Sequence, residues 1–413
     1  MQRQDISRRR LLKGGGATLA GLTVLQVAGP THLLGQTTGD VIPWLDQPPA
    51  NPVPDIVGNL LRWEDLNTRL TPAQNFFFVN HYGVPNGLDE ANWRINIGGL
   101  VAQPRTLTVQ DLRARERHEV EFTLECAGNN GFEFLTGAIG NARWGGARLA
   151  PLLQSVDILN EGSEVVFWGA DRGQETIRDN SGILSGGQTG TTQPDTSGGV
   201  DLTITEQFAR SMSVREALSR DNLLCYEMNG EALPPEHGFP VRLIAPGWYG
   251  VANVKWLTHI DVIDHRFAGK FMARDYVSIR EARHDDQTVW TFTTVGHDRL
   301  KSAPAKVTRL QNRYTVTGAA WGAPIAAVEV QVDSGPWMRA RLLDASESPR
   351  SARYTWRFWS FDWGMPPSGE HQIRSRAIDL DGNVQPVAND PHVSNRRTFW
   401  ENNGHISRRV LIT

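Results

Sequence analysis

After about residue 300 the chain changes character, and that change restricts the fold more than any single motif. Residues 314–318, 326–333, 354–361 and 371–379 alternate apolar and polar side chains, the period-two pattern that turns one face of a β-strand inward. Asp333-Ser334-Gly335 and Asp381-Gly382-Asn383 supply turns, and no helical periodicity intervenes. Strands at this spacing predict an all-β, immunoglobulin-like sandwich over 300–413. Upstream, 94–97 and 165–168 read as strands, whereas 148–156 and 215–218 read as helical pieces. Residues 61–290 are therefore expected to form a mixed domain, making the whole chain α+β, with the boundary between 286 and 305. Residues 36–60 are rich in Pro and Gly and read as an extended arm, and 186–199 as a flexible surface loop.

At 413 residues the chain is long enough for two buried cores after a leader. A net charge of −3 gives no reason to expect a nucleic-acid partner. Fourteen tryptophans point to deep cores and aromatic-walled pockets. The only cysteines are Cys126 and Cys225, with no CxxC, zinc or haem-attachment spacing, so a redox cofactor would have few protein ligands.

Ser7-Arg8-Arg9-Arg10-Leu11-Leu12-Lys13 is followed by an apolar stretch from 14 to about 29, short and glycine-rich for a membrane span. Residues 1–35 are read as a twin-arginine export signal and the destination as the periplasm. That route carries proteins already folded, which suits a cofactor inserted in the cytoplasm.

The chemistry concentrates in a few segments. Phe122-Thr123-Leu124-Glu125-Cys126-Ala127-Gly128-Asn129-Asn130 is a strand-like run that ends in a thiol at the mouth of a turn, where backbone can approach a ligand. Alone, a buried cysteine is more often structural. Around it stand Asn80-His81-Tyr82-Gly83-Val84-Pro85, Asn141-Ala142-Arg143-Trp144-Gly145-Gly146, and Tyr226-Glu227-Met228-Asn229-Gly230. Further on come Pro235-Glu236-His237-Gly238-Phe239-Pro240-Val241-Arg242, Asn253-Val254-Lys255-Trp256 and Arg274-Asp275-Tyr276.

In this order the segments resemble the molybdenum domain of the sulfite oxidase family. Gly318-Ala319-Ala320-Trp321, 328–335 and 376–386 resemble that family's dimerisation domain. The resemblance implies a molybdenum–molybdopterin cofactor, with Cys126 as thiolate ligand of the metal and Tyr276 near the reacting oxygen. It implies cofactor contacts from Asn80, His81, His237, Arg242, Asn253, Val254 and Lys255, and from Asp201, where the spacing differs. An Arg fork or a Lys point charge suits the terminal phosphate of the pterin. Cys225, inside the strand-like run 223–228, reads as core. His259, Asp261 and His265 fit no standard metal spacing.

The implied reaction is oxidation of sulfite or a related sulfur compound by oxygen-atom transfer, with electrons passed to a c-type cytochrome. The alternatives are reduction of a sulfoxide or other oxo-acceptor, and a sulfane dehydrogenase-like subunit of a sulfur-oxidising complex. The resemblance also implies a homodimer, with Trp356 or Trp359 as possible exposed contacts. Two departures concern substrate: Val79 and Gly131 stand where the family usually carries arginine, and Asn130 supplies no charge. Arg143 or Arg274 is a candidate replacement in space.

Overall fold

Strands make up 48% of the structure and helices only 10%, so the helical share of the α+β expectation was too large. A computed structural model describes residues 39–413 apart from 49, 52, 131–136, 180–199 and 344–351. The leader, the 186–199 loop and Gly131 lie outside the described residues. The expected helices survive as single turns or little more, Leu149–Gln154 and Val214–Ala217. The second starts at a capping box in which Ser213 and Glu216 each satisfy the other's backbone N–H.

The upstream domain holds two five-stranded sheets. One runs Arg105–Thr108, Arg94–Gly99, Leu257–Ile263, Glu164–Asp179, Val200–Ser213, with the second and third strands parallel. Alternation in Arg94–Gly99 turns Ile95 and Ile97 into the main core beside Phe167 and Ile260. The other sheet runs Glu231–Ala232, Leu223–Met228, Ile139–Arg148, Arg117–Glu125, and Arg242–Ile244 also pairs with Leu223–Met228. Cys225 is fully buried on that sheet, and both cysteines are unbridged.

The C-terminal part is built from two antiparallel sheets around one core that includes Val316, Val328, Trp359 and Ile373. One sheet has the order Lys301–Leu310, Arg313–Trp321, Arg357–Gly364, Arg341–Leu342; the other runs Met338–Arg339, Ile325–Val332, Gly369–Asp379, Ile406–Ile412. Asp40–Ile42, from the segment read as an arm, adds an edge strand to Lys301–Leu310.

Trp356 and Trp359 are buried, at 1% and 0% exposure, so neither is a surface contact. Their sheet is covered on both sides. Trp359 faces the opposing sheet, while Trp356 and Phe358 pack with Trp63, Leu66 and Ile139 of the upstream domain. Among the described residues no helix is long and apolar enough to cross a membrane.

Candidate active site

Strand alternation decides what the cysteine segment presents. Along Arg117–Glu125, Phe122 and Leu124 point to one side and Thr123 and Glu125 to the other. Cys126 continues the first series and joins Phe122 and Leu124 in a core that also holds Phe76 and Trp144. Its N–H bonds Ala138 O at 2.9 Å, and its carbonyl accepts from Asn129 N at 2.9 Å, closing a turn. Burial pushes the Cys126 thiol up to about 11.

The thiol lines a cleft whose space, counted out to its open mouth, is about 620 Å³. Phe77, Phe78, Phe208 and Trp256 give it aromatic walls, and His81, Asp171, His237, Arg242, Asn253, Lys255 and Tyr276 supply polar groups. Of the residues named from sequence, this brings together His81, Cys126, His237, Arg242, Asn253, Lys255 and Tyr276.

Arg242 comes from a three-residue strand and Lys255 from the segment after the Gly250–Ala252 turn. Gly238 makes their approach possible. It sits at φ +103, and a Cβ there would lie 3.0 Å from Arg242 Cβ and 3.1 Å from Lys255 Cβ. Arg242 donates to His237 O at 2.9 Å and Asn253 O at 3.0 Å, while its Nε has no partner among the described residues. Lys255 Nζ donates to Val79 O and Glu236 O, both at 3.0 Å, and to Asn80 Oδ1. Both cations therefore donate to neutral acceptors. Burial lowers the Arg242 guanidinium to about 10 and pushes the Lys255 ammonium down as well, with Arg242 adding to the effect.

The histidines are held neutral. His237 bonds Ala73 O at 3.1 Å, and burial followed by Arg242 lowers it to about 3. His81 lies 2.8 Å from the Tyr276 hydroxyl and packs on Phe208 and Phe271. Burial and then Lys255 lower it to about 4. Burial raises Tyr276 well above the usual phenol range, so it keeps its proton; its ring stacks on Trp400 at 4.2 Å.

Of the other named residues, Asn80 accepts from Lys255 Nζ beside the cleft, while Val254 and Asp201 fall elsewhere. Asn253 lines the cleft, but its amide is occupied by Ala245 N, Trp248 O and Tyr249 O, so it shapes the 245–253 loop. Val254 is buried in the main core and contributes backbone, accepting from Leu243 N at 2.8 Å. Asp201 is the second residue of the strand Val200–Ser213, opposite Arg178, and its side chain is outside the described residues. The carboxylate that lines the cleft is Asp171, which the sequence reading missed. Its Oδ1 is buried without a partner among the described residues, and burial raises the carboxyl while Lys255 lowers it. Asp171 lies in the break in strand register between Trp168 and Arg172, which no local sequence pattern marks.

The cleft fits a pterin cofactor. Two buried cations that find no carboxylate acceptor among the described residues suit a phosphate, a buried carboxylate oxygen with no partner among them suits the N–H groups of a pterin edge, and the aromatic walls suit a flat ring.

Neither suggested replacement for the missing arginines serves. Arg143 is exposed, and Arg274 is paired with Glu175 and Asp275 at 3.0 Å each. Asn130 donates to Gly404 O at 3.3 Å. A different basic group surrounds Trp400 and Glu401. Arg280 and Arg299 approach Glu401 at 3.7 and 3.6 Å, and Arg396 donates to Trp400 O. Each of these arginines has a buried nitrogen without a partner among the described residues, and Glu401 N bonds Ala127 O at 2.8 Å. His259 bonds Asn96 and Thr258, and His265 bonds Asp264.

Residues 81–185 and 188–271 match the oxidoreductase molybdopterin binding domain family, and residues 292–405 the Mo-co oxidoreductase dimerisation domain family. The sulfite oxidase of Arabidopsis thaliana is 30% identical over 84% of this chain and 89% of its own length. The mitochondrial sulfite oxidase of Mus musculus is 32% identical over 77% of this chain; the match spans 57% of that protein's length. In fold, the chain is similar to the sulfane dehydrogenase SoxCD of Paracoccus pantotrophus, with a TM-score of 0.68 over 91% of this chain and 90% of that one at 23% identity.

Proposed function

Because this chain belongs to the sulfite oxidase family of molybdopterin oxidoreductases, whose cofactor is molybdenum held by molybdopterin, we propose that it oxidises sulfite or a related small sulfur compound by oxygen-atom transfer. The observation that carries the reading is the meeting of the Cys126 thiol and the protonated Tyr276 phenol in one cleft with the cations Arg242 and Lys255. When bound, the molybdenum cofactor supplies the two-electron oxygen-transfer chemistry. Arg242 and Lys255 would hold its phosphate, Asp171 its pterin edge, and Cys126 its metal. The buried thiol keeps its proton until a cation binds, because burial disfavours the thiolate. Tyr276, oriented by His81, would donate a hydrogen bond to substrate, and the Phe and Trp walls exclude water. The arginines near Trp400 support an anionic substrate.

A second reading, reduction of a sulfoxide or another oxo-acceptor, is favoured by Val79, an apolar side chain on the cleft wall. The likeness to SoxCD likewise motivates testing sulfane sulfur. Metal and pterin analysis of the purified protein, then a substrate panel with a c-type cytochrome or a dye as acceptor, decides among them. Sulfite-dependent cytochrome reduction supports the proposal. Turnover confined to sulfoxide reduction replaces it.

We also propose that the C-terminal unit is an immunoglobulin-like sandwich, since its sheets follow the A-B-E-D and C′-C-F-G orders. The match to a dimerisation domain supports a homodimer, which sedimentation at micromolar concentration would test. Export to the periplasm through the paired arginines is tested by Arg8→Lys with Arg9→Lys, which should leave precursor in the cytoplasm.

A further inference from the structure

Glu125 is the residue before Cys126 and, by strand alternation, points away from the cleft toward the C-terminal unit. It is fully buried, yet every acceptor site is used. Lys301 Nζ lies 2.8 Å from both carboxylate oxygens, Trp321 Nε1 2.9 Å from one, and Asn129 Nδ2 3.0 Å from the other. Lys301 is fully buried too, and it opens the first strand of the C-terminal sheet. Asn129 is fixed a second time, since its Oδ1 accepts from Ala138 N at 2.8 Å and its own N–H bonds Cys126 O. The Lys301 ammonium also lies 5.0 Å from the Tyr249 ring centroid, on the loop whose Gly250 and Val251 line the cleft. One ammonium from the C-terminal unit thus touches the residue that leads into the cysteine turn and the loop that forms the cleft wall.

We propose that Lys301 is a positioning residue for Cys126: through Glu125 and Asn129 it fixes the cysteine turn, making the C-terminal unit part of the catalytic centre. The inference rests on the reading of Cys126 as the metal ligand. A buried ion pair is a costly way to gain stability, because desolvation offsets most of the attraction, and apolar residues of similar volume often serve as well. What the pair adds is direction. Four hydrogen bonds converge on one carboxylate, and the next residue along the chain is the thiol.

The test must separate position from stability. Lys301→Met alone leaves Glu125 buried and unpaired and can unfold the chain, so the informative protein is Glu125→Gln with Lys301→Met, which removes both charges. Its thermal midpoint should stay near wild type. The loaded enzyme should show a shifted thiolate-to-metal absorption band and a kcat at least tenfold lower at nearly unchanged KM. In cofactor-free protein carrying Cys225→Ser, a disulfide reagent should reach Cys126 at least tenfold faster in the double variant. A wild-type band, kcat and thiol rate in a folded double variant would overturn the proposal. Cys126→Ser separates the two failures: if that variant keeps the band, the metal-ligand reading itself falls.

Discussion

His81 Nε2 and the Tyr276 hydroxyl lie 2.8 Å apart, and burial keeps both side chains uncharged near neutral pH. The contact joins the loop after the strand Phe78–Val79 to the residue before the strand Val277–His284. It also aims a phenol proton donor into a cleft whose other hydrogen-bonding groups include two cations.

The neutral histidines set how the protein responds to acid. Unfolded, His81 and His237 take up protons near 6.5; folded, they do so only near 4 and 3. The unfolded state therefore binds more protons as pH falls below 6.5, and stability present above that value is lost toward pH 4. Each histidine contributes on the order of 3 kcal/mol to that loss. Thermal midpoints of cofactor-free protein between pH 7 and 4 should show the decline, and His237→Gln should flatten it. A midpoint that does not change with pH would refute the argument.

Asp171 offers an acceptor with no partner among the described residues, so its removal should be felt by the cofactor more than by the fold. Asp171→Asn is expected to lower retained molybdenum and pterin per chain about tenfold, as losing a charge-assisted hydrogen bond implies. Folding should hold or improve, because a buried carboxylate is relieved. Undiminished cofactor content would remove Asp171 from the cradle.

Cys126→Ser replaces a polarisable thiolate with a poor ligand while nearly conserving volume. We expect near-native thermal unfolding together with loss of activity and of the thiolate-to-metal band. Full turnover by this variant would be incompatible with the proposed chemistry.

What could be read in the sequence was what local pattern encodes. The run 122–125 ending in a thiol and a turn is a local signal, and Arg242 and Lys255 sit beside Gly238 within one short segment. Glu125 and Lys301 lie 176 residues apart, and no periodicity marks them as partners. The segment 148–156 read as a longer helix, but it ends after Gln154, with Ser155 as C-cap. Trp356 was misplaced because alternation tells which residues share a face, not what covers it. Here the upstream domain covers the second face of that sheet. Asp171 was missed because nothing near it in sequence separates an unpartnered acid from a solvated one.

Substrate charge is the sharpest remaining test. Val79 lines the cleft, and its carbonyl is held by Lys255 Nζ at 3.0 Å, so the side chain can be exchanged while the backbone stays anchored. A sulfite dianion entering this partly dry space needs compensating charge. With Arg242 and Lys255 assigned to the cofactor phosphate, the charge proposed for substrate is that of the arginines around Trp400 and Glu401, screened in part by solvent at Arg299, which is 38% exposed. We therefore expect weak sulfite turnover, with a KM that is high and rises further with salt. Val79→Arg should lower the KM about tenfold, and Arg396→Gln should raise it by a similar factor, each matching one charge-assisted contact of about 1.5 kcal/mol. The new cation must share the space with Lys255 and Arg242, so thermal midpoints have to accompany the kinetics, and Arg396→Gln tests the same argument without crowding the cleft. A micromolar wild-type KM that neither salt nor Arg396→Gln changes would show that the charge argument is wrong. If wild type and Val79→Arg both ignore sulfite and both reduce a neutral sulfoxide, the apolar wall at Val79 is the feature that selects substrate, and the reductase reading takes over.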